Sequence, residues 1–440
     1  MNDNFKELDL KKGGNKNSNS SVKPEAAHHS KSDDVLNIKL GLIIPHRELA
    51  DPSTMDKLNE QLITETSVKY LSEQFNRQLV KYNVVEVEAI SEATATILDE
   101  VIGEDYSINS ASFHPATMSI ALDIGSYSTD FVAMLGVDII NDSEKRLKVG
   151  TDDLFVEIMN ELEDKYDIAF ELLDMDNIAA SLRYSTTVCQ DCGDIVGSNA
   201  DECRCGGSFV AKKNIVRIGR HGFDITPIVD SCIDKITTKI VEYFSAYIRR
   251  LFRLRGVALN QLENLTISGG GAELFGDNLI SMLEKDLGEL VNITKANKPV
   301  RKNVEGLSKL IYRNNNRTDV DLFVAVDVGC SSVKSKIIDK NGEEIIKGIE
   351  LPSRISSPVK MSTYNIRKVK PLADLHVSIT TDNNSISDGE YFVGQFATKG
   401  SGQVKQSDFT NKCEDKVFYV LANTSVATLI ARHNHKLKNF

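Results

Sequence analysis

The sequence has no surplus of positive charge: 52 basic side chains stand against 63 acidic ones, a formal net charge of −11. Direct nucleic-acid binding is therefore not expected, because such a chain repels phosphates. It also lacks any run near the roughly 18 consecutive apolar residues of a membrane span, and its start, Met1 to Lys12, holds no apolar signal core. No membrane association is expected, and the expected compartment is the cytoplasm. Cysteine is scarce, seven in 440 residues, yet four crowd between Cys189 and Cys205. In a reducing compartment such a cluster reads as metal ligation rather than disulfides. What is present is an ordinary globular composition, 41% apolar and 26% charged, which excludes disorder of the whole chain and suits two or more domains.

Residues 1 to 35, rich in Asn, Ser and Lys, predict a disordered tail. Val35 to Ile44 reads as a strand ended by Pro45. Pro52, Ser53 and Thr54 predict a helix start, with Met55, Leu58, Leu62, Leu71, Phe75 and Leu79 near one face. Val84 to Val87 alternates like a strand, and Ala93 to Val101 resumes helical spacing. Strands at Met118–Asp123 and Phe131–Met134 flank a glycine turn, and a helix is expected from Asp152 to Tyr166. Thr226 as cap and Pro227 in the first turn open a long helix that ends at Gly256. Beyond a polar link, strands are expected at Leu322–Val328, Val333–Asp339 and Glu344–Leu351, the last two joined through Asn341-Gly342, a hairpin signal.

An internal repeat is the most informative pattern. Ala121-Leu-Asp-Ile-Gly-Ser-Tyr-Ser-Thr-Asp130 and Ala325-Val-Asp-Val-Gly-Cys-Ser-Ser-Val-Lys334 align without gaps, 204 residues apart. Each is a strand, an Asp, a glycine turn with a Ser, and a return strand. Such a turn aims backbone N–H groups and a hydroxyl at one point, a concavity for phosphate oxygens, while Asp123 and Asp327 could hold a hydrated Mg²⁺. Two copies facing one another would clamp a polyphosphate. Leu265 to Ser268 enters the triple glycine Gly269, Gly270, Gly271 before a helix, where backbone can approach adenine and ribose closely. Glu92 is a carboxylate where a strand hands over to a helix.

These pieces resemble the actin, heat-shock chaperone and sugar kinase superfamily. Asp327, Gly329, Cys330, Ser331, Ser332 and Lys334 resemble its first phosphate loop; Asp123, Gly125, Ser126, Tyr127 and Ser128 resemble the second; Gly269 to Gly271 resemble the adenosine motif. Glu92 matches the acidic residue that helps place the attacking water. Gly150-Thr-Asp-Asp, Asn303-Val-Glu-Gly306 and Tyr391-Phe-Val-Gly394 are similar to the ParM-type plasmid segregation actins. The resemblance implies an α/β fold of two actin-like (ribonuclease H-like) domains around a nucleotide cleft, with ATP and Mg²⁺ bound and Glu92 and Asp123 catalytic. The first loop comes last in the chain, so the order reads as a circular permutation: residues 36–115 and 321–440 form domain I, 116–312 domain II, and 313–320 the link. A different two-domain arrangement or a fusion of fragments stays open.

Cys189, Cys192, Cys203 and Cys205 sit in an insert at about 186–210 that the resemblance does not account for. Two close thiolate pairs suit tetrahedral Zn²⁺, giving a zinc-ribbon-like insert, although one intervening residue in the second pair is fewer than usual. An iron–sulfur or redox site stays open. By resemblance the chain is an ATPase that polymerises with itself and reaches plasmid DNA through a DNA-binding adaptor. A small-molecule kinase and a chaperone or activator ATPase of the same superfamily are the alternatives.

Overall fold

The computed structural model describes residues 35–71, 78–109, 114–167, 174–183, 186–189, 191–192, 195–196, 203, 205–207, 210–218, 221–256, 261–288, 291–358, 374–399, 404–406 and 411–436. The expected tail, Phe75 and the chain end lie outside the described residues.

Aliphatic and β-branched runs build two sheets in a mixed α/β fold, with Val35–Phe440 a single unit. The larger has ten strands in the order β17-β16-β15-β1-β3-β2-β19-β20-β18-β21. Here β1 is Leu36–Ile43, β2 Glu65–Tyr70, β3 Leu79–Ile90, β15 Leu322–Val328, β16 Ser332–Asp339 and β17 Glu344–Pro352. The outer members are β18 Arg354–Ser356, β19 Asp374–Thr381, β20 Gly389–Gly394 and β21 Lys405–Gln406. The six-stranded sheet runs β14-β13-β4-β5-β6, with β7 also on β5. Its strands are β4 Met118–Ile124, β5 Thr129–Leu135, β6 Asp138–Ile139, β7 Lys145–Leu147, β13 Leu262–Ser268 and β14 Asn292–Lys295.

The repeat seen in the sequence is a repeat of topology. In one sheet β15 pairs antiparallel with β16 and parallel with β1, which is parallel to β3; in the other β4 pairs antiparallel with β5 and parallel with β13, which is parallel to β14. Asp327 is opposite Lys334 and Asp123 is opposite Asp130. The chain order differs. The parallel pair β1/β3 precedes its hairpin in sequence, whereas β13/β14 follows its own.

Helices cover the sheets: α1 His46–Leu49, α2 Ser53–Leu62, α3 Glu92–Val101, α4 Thr151–Tyr166, α5 Asp174–Arg183, α6 Thr226–Arg255, α7 Gly270–Leu287, α8 Lys302–Arg313, α9 Phe396–Lys399 and α10 Lys416–Lys436. The apolar face of α10 fills the core of the larger sheet with Phe418, Leu421 and Ile430; α4, α6 and α7 do the same for the smaller with Leu162, Phe244 and Leu279. One helix serves both sheets. Ala95 of α3 packs with Val304 and Leu307 of α8 against β15, while Ala93 and Ile97 pack on Ala121 and Val132 of the β4–β5 hairpin. The α3–α8 approach is close enough that a methyl at Gly306 would overlap the Ala95 carbonyl oxygen.

Two expectations are corrected. The helix begun at Ser53 stops at Leu62; Leu79 belongs to β3, because Thr66, Val68 and Tyr70 alternate inward as a strand that pairs with it. Thr226 is the first helical residue rather than the cap, and its hydroxyl instead accepts from the Asn214 N–H at 2.9 Å. The Asn341-Gly342 hairpin forms where expected, with Gly342 at positive φ (83°) and the Asp339 carboxylate accepting from the Asn341 and Glu343 N–H groups. The remaining strands and helices above fall where the pattern puts them. Among the described residues no helix is long and apolar enough to cross a membrane.

Candidate functional site

Each repeated hairpin turns the same way: the Gly125 N–H donates to the Ser128 carbonyl at 2.8 Å and the Gly329 N–H to the Ser332 carbonyl at 3.1 Å. The two tips meet, with Ser126 Oγ and Ser331 Oγ 2.5 Å apart. The β4–β5 tip is also seated on the start of α4. Its Gly125 and Ser126 carbonyls accept from the N–H groups of Thr151 and Asp152, and a side chain at Gly150 would collide with them. Tyr127 is exposed, and Ser128 is buried with its hydroxyl on Asp130 at 3.0 Å. At the other tip Cys330 is half-buried and Ser332 donates to Glu350 at 2.7 Å.

Below the tips lies a cluster of acids. Asp123, 4% exposed, accepts from Ser268 Oγ at 2.7 Å and from Asn303 Nδ2 at 3.2 Å. Thr96 completes that network, 2.8 Å from the Ser268 hydroxyl and donating to Asn303 Oδ1 at 2.6 Å. Burial, then the charge of Glu92, raises the Asp123 carboxyl to about 6. Asp327, also 4% exposed, is less satisfied: its Oδ2 is 3.9 Å from Lys334 Nζ, and its Oδ1 has no hydrogen-bond partner. Burial raises its carboxyl against the pull of Lys334 and Lys412. A buried carboxylate oxygen without a partner costs about 1–3 kcal/mol, which marks a place where a cation or donor belongs.

Glu92 opens α3, whose Ser91 cap accepts from the Thr94 N–H. Its Oε2 accepts from Arg146 Nη2 at 2.9 Å, and its Oε1 is 3.7 Å from Lys412 Nζ. Burial opposes ionisation of Glu92, yet Lys412 and Arg146 outweigh it and hold the carboxyl below its ordinary value. Arg146 also binds Asp130 through Nε at 2.7 Å. Asp130 moves the other way, raised by burial and by the Glu92 charge.

The triple glycine divides its duties. Gly269 has φ of 86°, and side chains at Gly269 or Gly271 would collide with Ile124 at the end of β4. Only Gly270 faces open space. Further along α7, Glu273 and Leu274 line a cavity of about 420 Å³ together with Arg183, Asn214 and Val229 among others.

The cysteines form a separate cluster on a three-stranded sheet of β8 Thr186–Cys189, β9 Ile195–Val196 and β10 Val210–Lys213, followed by the hairpin of β11 Ile215–Ile218 and β12 His221–Asp224. The sulfurs of Cys189, Cys192, Cys203 and Cys205 all lie within 4.8 Å of one another. Backbone N–H groups of Cys192 and Asp191 bring the Cys189 thiol down to about 7. Four convergent thiols of this kind can bind a metal ion.

The sequence-predicted residues thus fall in two places. Glu92, Asp123, Asp327, Lys334 and the two tips converge, with the glycine turn adjoining through Ile124 and Ser268; the cysteines gather apart from them. Sequence reasoning missed Arg146, Thr96 and Lys412. It quoted Asp130 and Asn303 without a role, although Asp130 stands opposite Asp123 in the repeat.

No protein-family model and no curated protein matches the chain. Solved structures do. An archaeal actin homologue, Ta0583, matches with a TM-score of 0.45 and 13% identity over 64% of this chain and 71% of that one. A Bacillus thuringiensis ParM hybrid protein with ADP, containing two ParM mutants, matches with 0.42 and 14% over 91% of this chain and 50% of that one. The Alp12 filament structure matches with 0.36 and 14% over 63% and 69%.

Proposed function

We propose that the chain is an actin-like ATPase that binds Mg-ATP between the two hairpins and polymerises under control of the bound nucleotide. The observation that carries this is the convergence of Asp123, Asp327 and Glu92 beneath two touching turns, with the Asp327 Oδ1 buried and unpartnered. Buried carboxylate oxygens are donors of the kind Mg²⁺ takes, so Asp123 and Asp327 fit the ion, through retained waters. Bound there, Mg²⁺ would offset phosphate charge.

Backbone N–H groups of the tips at Ser126, Ser128, Ser331 and Ser332, with the hydroxyls of Ser126 and Ser331, would hold phosphate oxygens, with Lys334 as their cation. The open backbone at Gly270 would take the nucleoside. Glu92, kept ionised by its cationic neighbours, would accept a hydrogen bond from the attacking water and orient it in line. Residues 36–115 with 321–440 form one proposed domain and 116–312 the other. The reversed chain order of the parallel strand pairs supports a circular permutation joined through 313–320. An acidic chain suits a DNA cargo only through an adaptor, and the proposed compartment is the cytoplasm.

The four cysteines we assign to one structural Zn²⁺: tetrahedral ligation at about 2.3 Å per bond needs the crowding seen here, with Sγ pairs Cys189–Cys205 and Cys192–Cys203 at 3.5 Å. Metal analysis and an ultraviolet-visible spectrum test this; iron with visible absorption would replace zinc by an iron–sulfur reading. For the function itself the test is pelleting, light scattering and electron microscopy over a concentration series with Mg-ATP. Filaments above a critical concentration, lost on nucleotide depletion, are expected. A species that stays monomeric or dimeric and phosphorylates a small hydroxylated substrate would move the case to a kinase.

A further inference from the structure

Lys412 is 1% exposed, and its ammonium makes one hydrogen bond. It lies in the single turn Lys412–Glu414 ahead of α10, and its backbone is pinned there. The Glu48 carboxylate accepts from the N–H groups of Lys412 and Cys413, each at 2.9 Å, and Tyr419 donates to the Cys413 carbonyl at 2.8 Å. The side chain runs inward to the end of β1, where Nζ donates to the Ile43 carbonyl at 3.2 Å. An ammonium has three N–H donors. Glu92 Oε1 stands at 3.7 Å, too far for a hydrogen bond.

Compare the other cations of the cluster. Arg146 is committed to Asp130 and Glu92 at once. Lys334 leans toward Asp327 from the hairpin itself. Lys412 alone among them is both fully buried and left with donors in hand, on the side of the cluster where Glu92 stands. A buried ammonium is costly unless its hydrogen bonds are completed, so the missing acceptors belong to something that enters the cluster.

We propose that Lys412 is a catalytic cation that donates to the terminal phosphoryl group of bound ATP, holding it against the water that Glu92 orients. This rests on the ATPase reading above and adds to it a group no motif contains. The chemistry is hydrolysis: the water oxygen forms a bond to the terminal phosphorus, the bond from that phosphorus to the bridging oxygen breaks, ADP leaves with the electron pair, and both water protons stay with the released phosphate as H2PO4⁻. Lys412 neutralises charge on the transferred group and exchanges no proton. ADP lacks that group, so Lys412 should matter to turnover and little to ADP retention.

The test uses the full chain, with Lys412→Met and Lys412→Arg compared for thermal melting, ATP and ADP affinity, and kcat and KM of ATP hydrolysis. Lys412→Met should fold, bind ADP as wild type does and lose about 100-fold in kcat, the loss typical of one charge-stabilising donor; Lys412→Arg should recover part of it. Wild-type turnover in Lys412→Met overturns the inference and leaves the ATPase reading intact. A wild-type protein that neither binds nor hydrolyses ATP overturns both, before any variant is made. Should Lys412→Met fail to fold, Lys412→Arg decides: reduced kcat with unchanged ADP affinity supports the assignment, and full activity gives the lysine to the core alone.

Discussion

Asp123 and Asp327 hold equivalent places in the two repeats, yet one is fully hydrogen-bonded and the other is not. Ser268 and Asn303 satisfy both oxygens of Asp123, while Oδ1 of Asp327 faces no donor. The same strand register therefore produces one settled carboxylate and one waiting for a ligand.

Asp327→Asn should separate stability from function. Removing an underpaired buried charge should raise the melting temperature without ligand, by an amount equivalent to about 1 kcal/mol. The further rise on adding Mg-ATP should shrink sharply, because the variant lacks the carboxylate that the ion would use. Thermal melts with and without Mg-ATP check both signs, and Asp123→Ala should likewise abolish most Mg-dependent turnover.

Glu92→Gln should keep nucleotide binding and lose hydrolysis, by about 100-fold or more. In a polymerising ATPase its filaments should outlive those of the wild type. Phosphate release and filament lifetime measured on one preparation would show it; unchanged release would remove Glu92 from its assigned place.

His46 links the start of α1 to Glu144, 2.5 Å away, and Glu144 also takes the hydroxyl of Ser91 ahead of Glu92. The hydrogen bond to Glu144 raises the His46 imidazole above its ordinary 6.5, against partial burial. A raised histidine adds stability that is fully present below pH 6.5 and fades as pH climbs through the higher folded value. Denaturation midpoints should therefore fall between about pH 6 and 8 more steeply for wild type than for His46→Ala.

Gly306→Ala should be among the most damaging small substitutions, since the added methyl meets the Ala95 carbonyl oxygen of a neighbouring helix. Overpacking of this kind costs about 1–3 kcal/mol. Because α3 also carries Glu92, turnover should fall even where the variant still folds; calorimetry and an ATPase assay at low temperature distinguish the two losses.

The cluster was legible where local rules dictate it. Asp-x-Gly-x-x-Ser forces a strand, a turn and a return strand, so Asp123 and Asp327 could be placed from a dozen residues each. Lys412 could not, because what defines it, Glu48, Ile43 and Glu92, lies more than 300 residues away in the chain. The misread stretch after Leu62 has a different cause. Apolar residues spaced for a helix also fit alternation over so short a run, and only pairing of β2 with β3 and β19 decides between them.

Chain order also sets a schedule for synthesis. β1 and β3 leave the ribosome early, but the neighbour of β1 on its other side, β15, begins only at Leu322. At roughly 5–20 residues per second the wait lasts on the order of ten seconds or more. Meanwhile everything needed for the six-stranded sheet, Met118 to Lys295, has emerged. The nascent chain must therefore carry an aliphatic strand with one open edge past a finished neighbour until β15 arrives to pair with it.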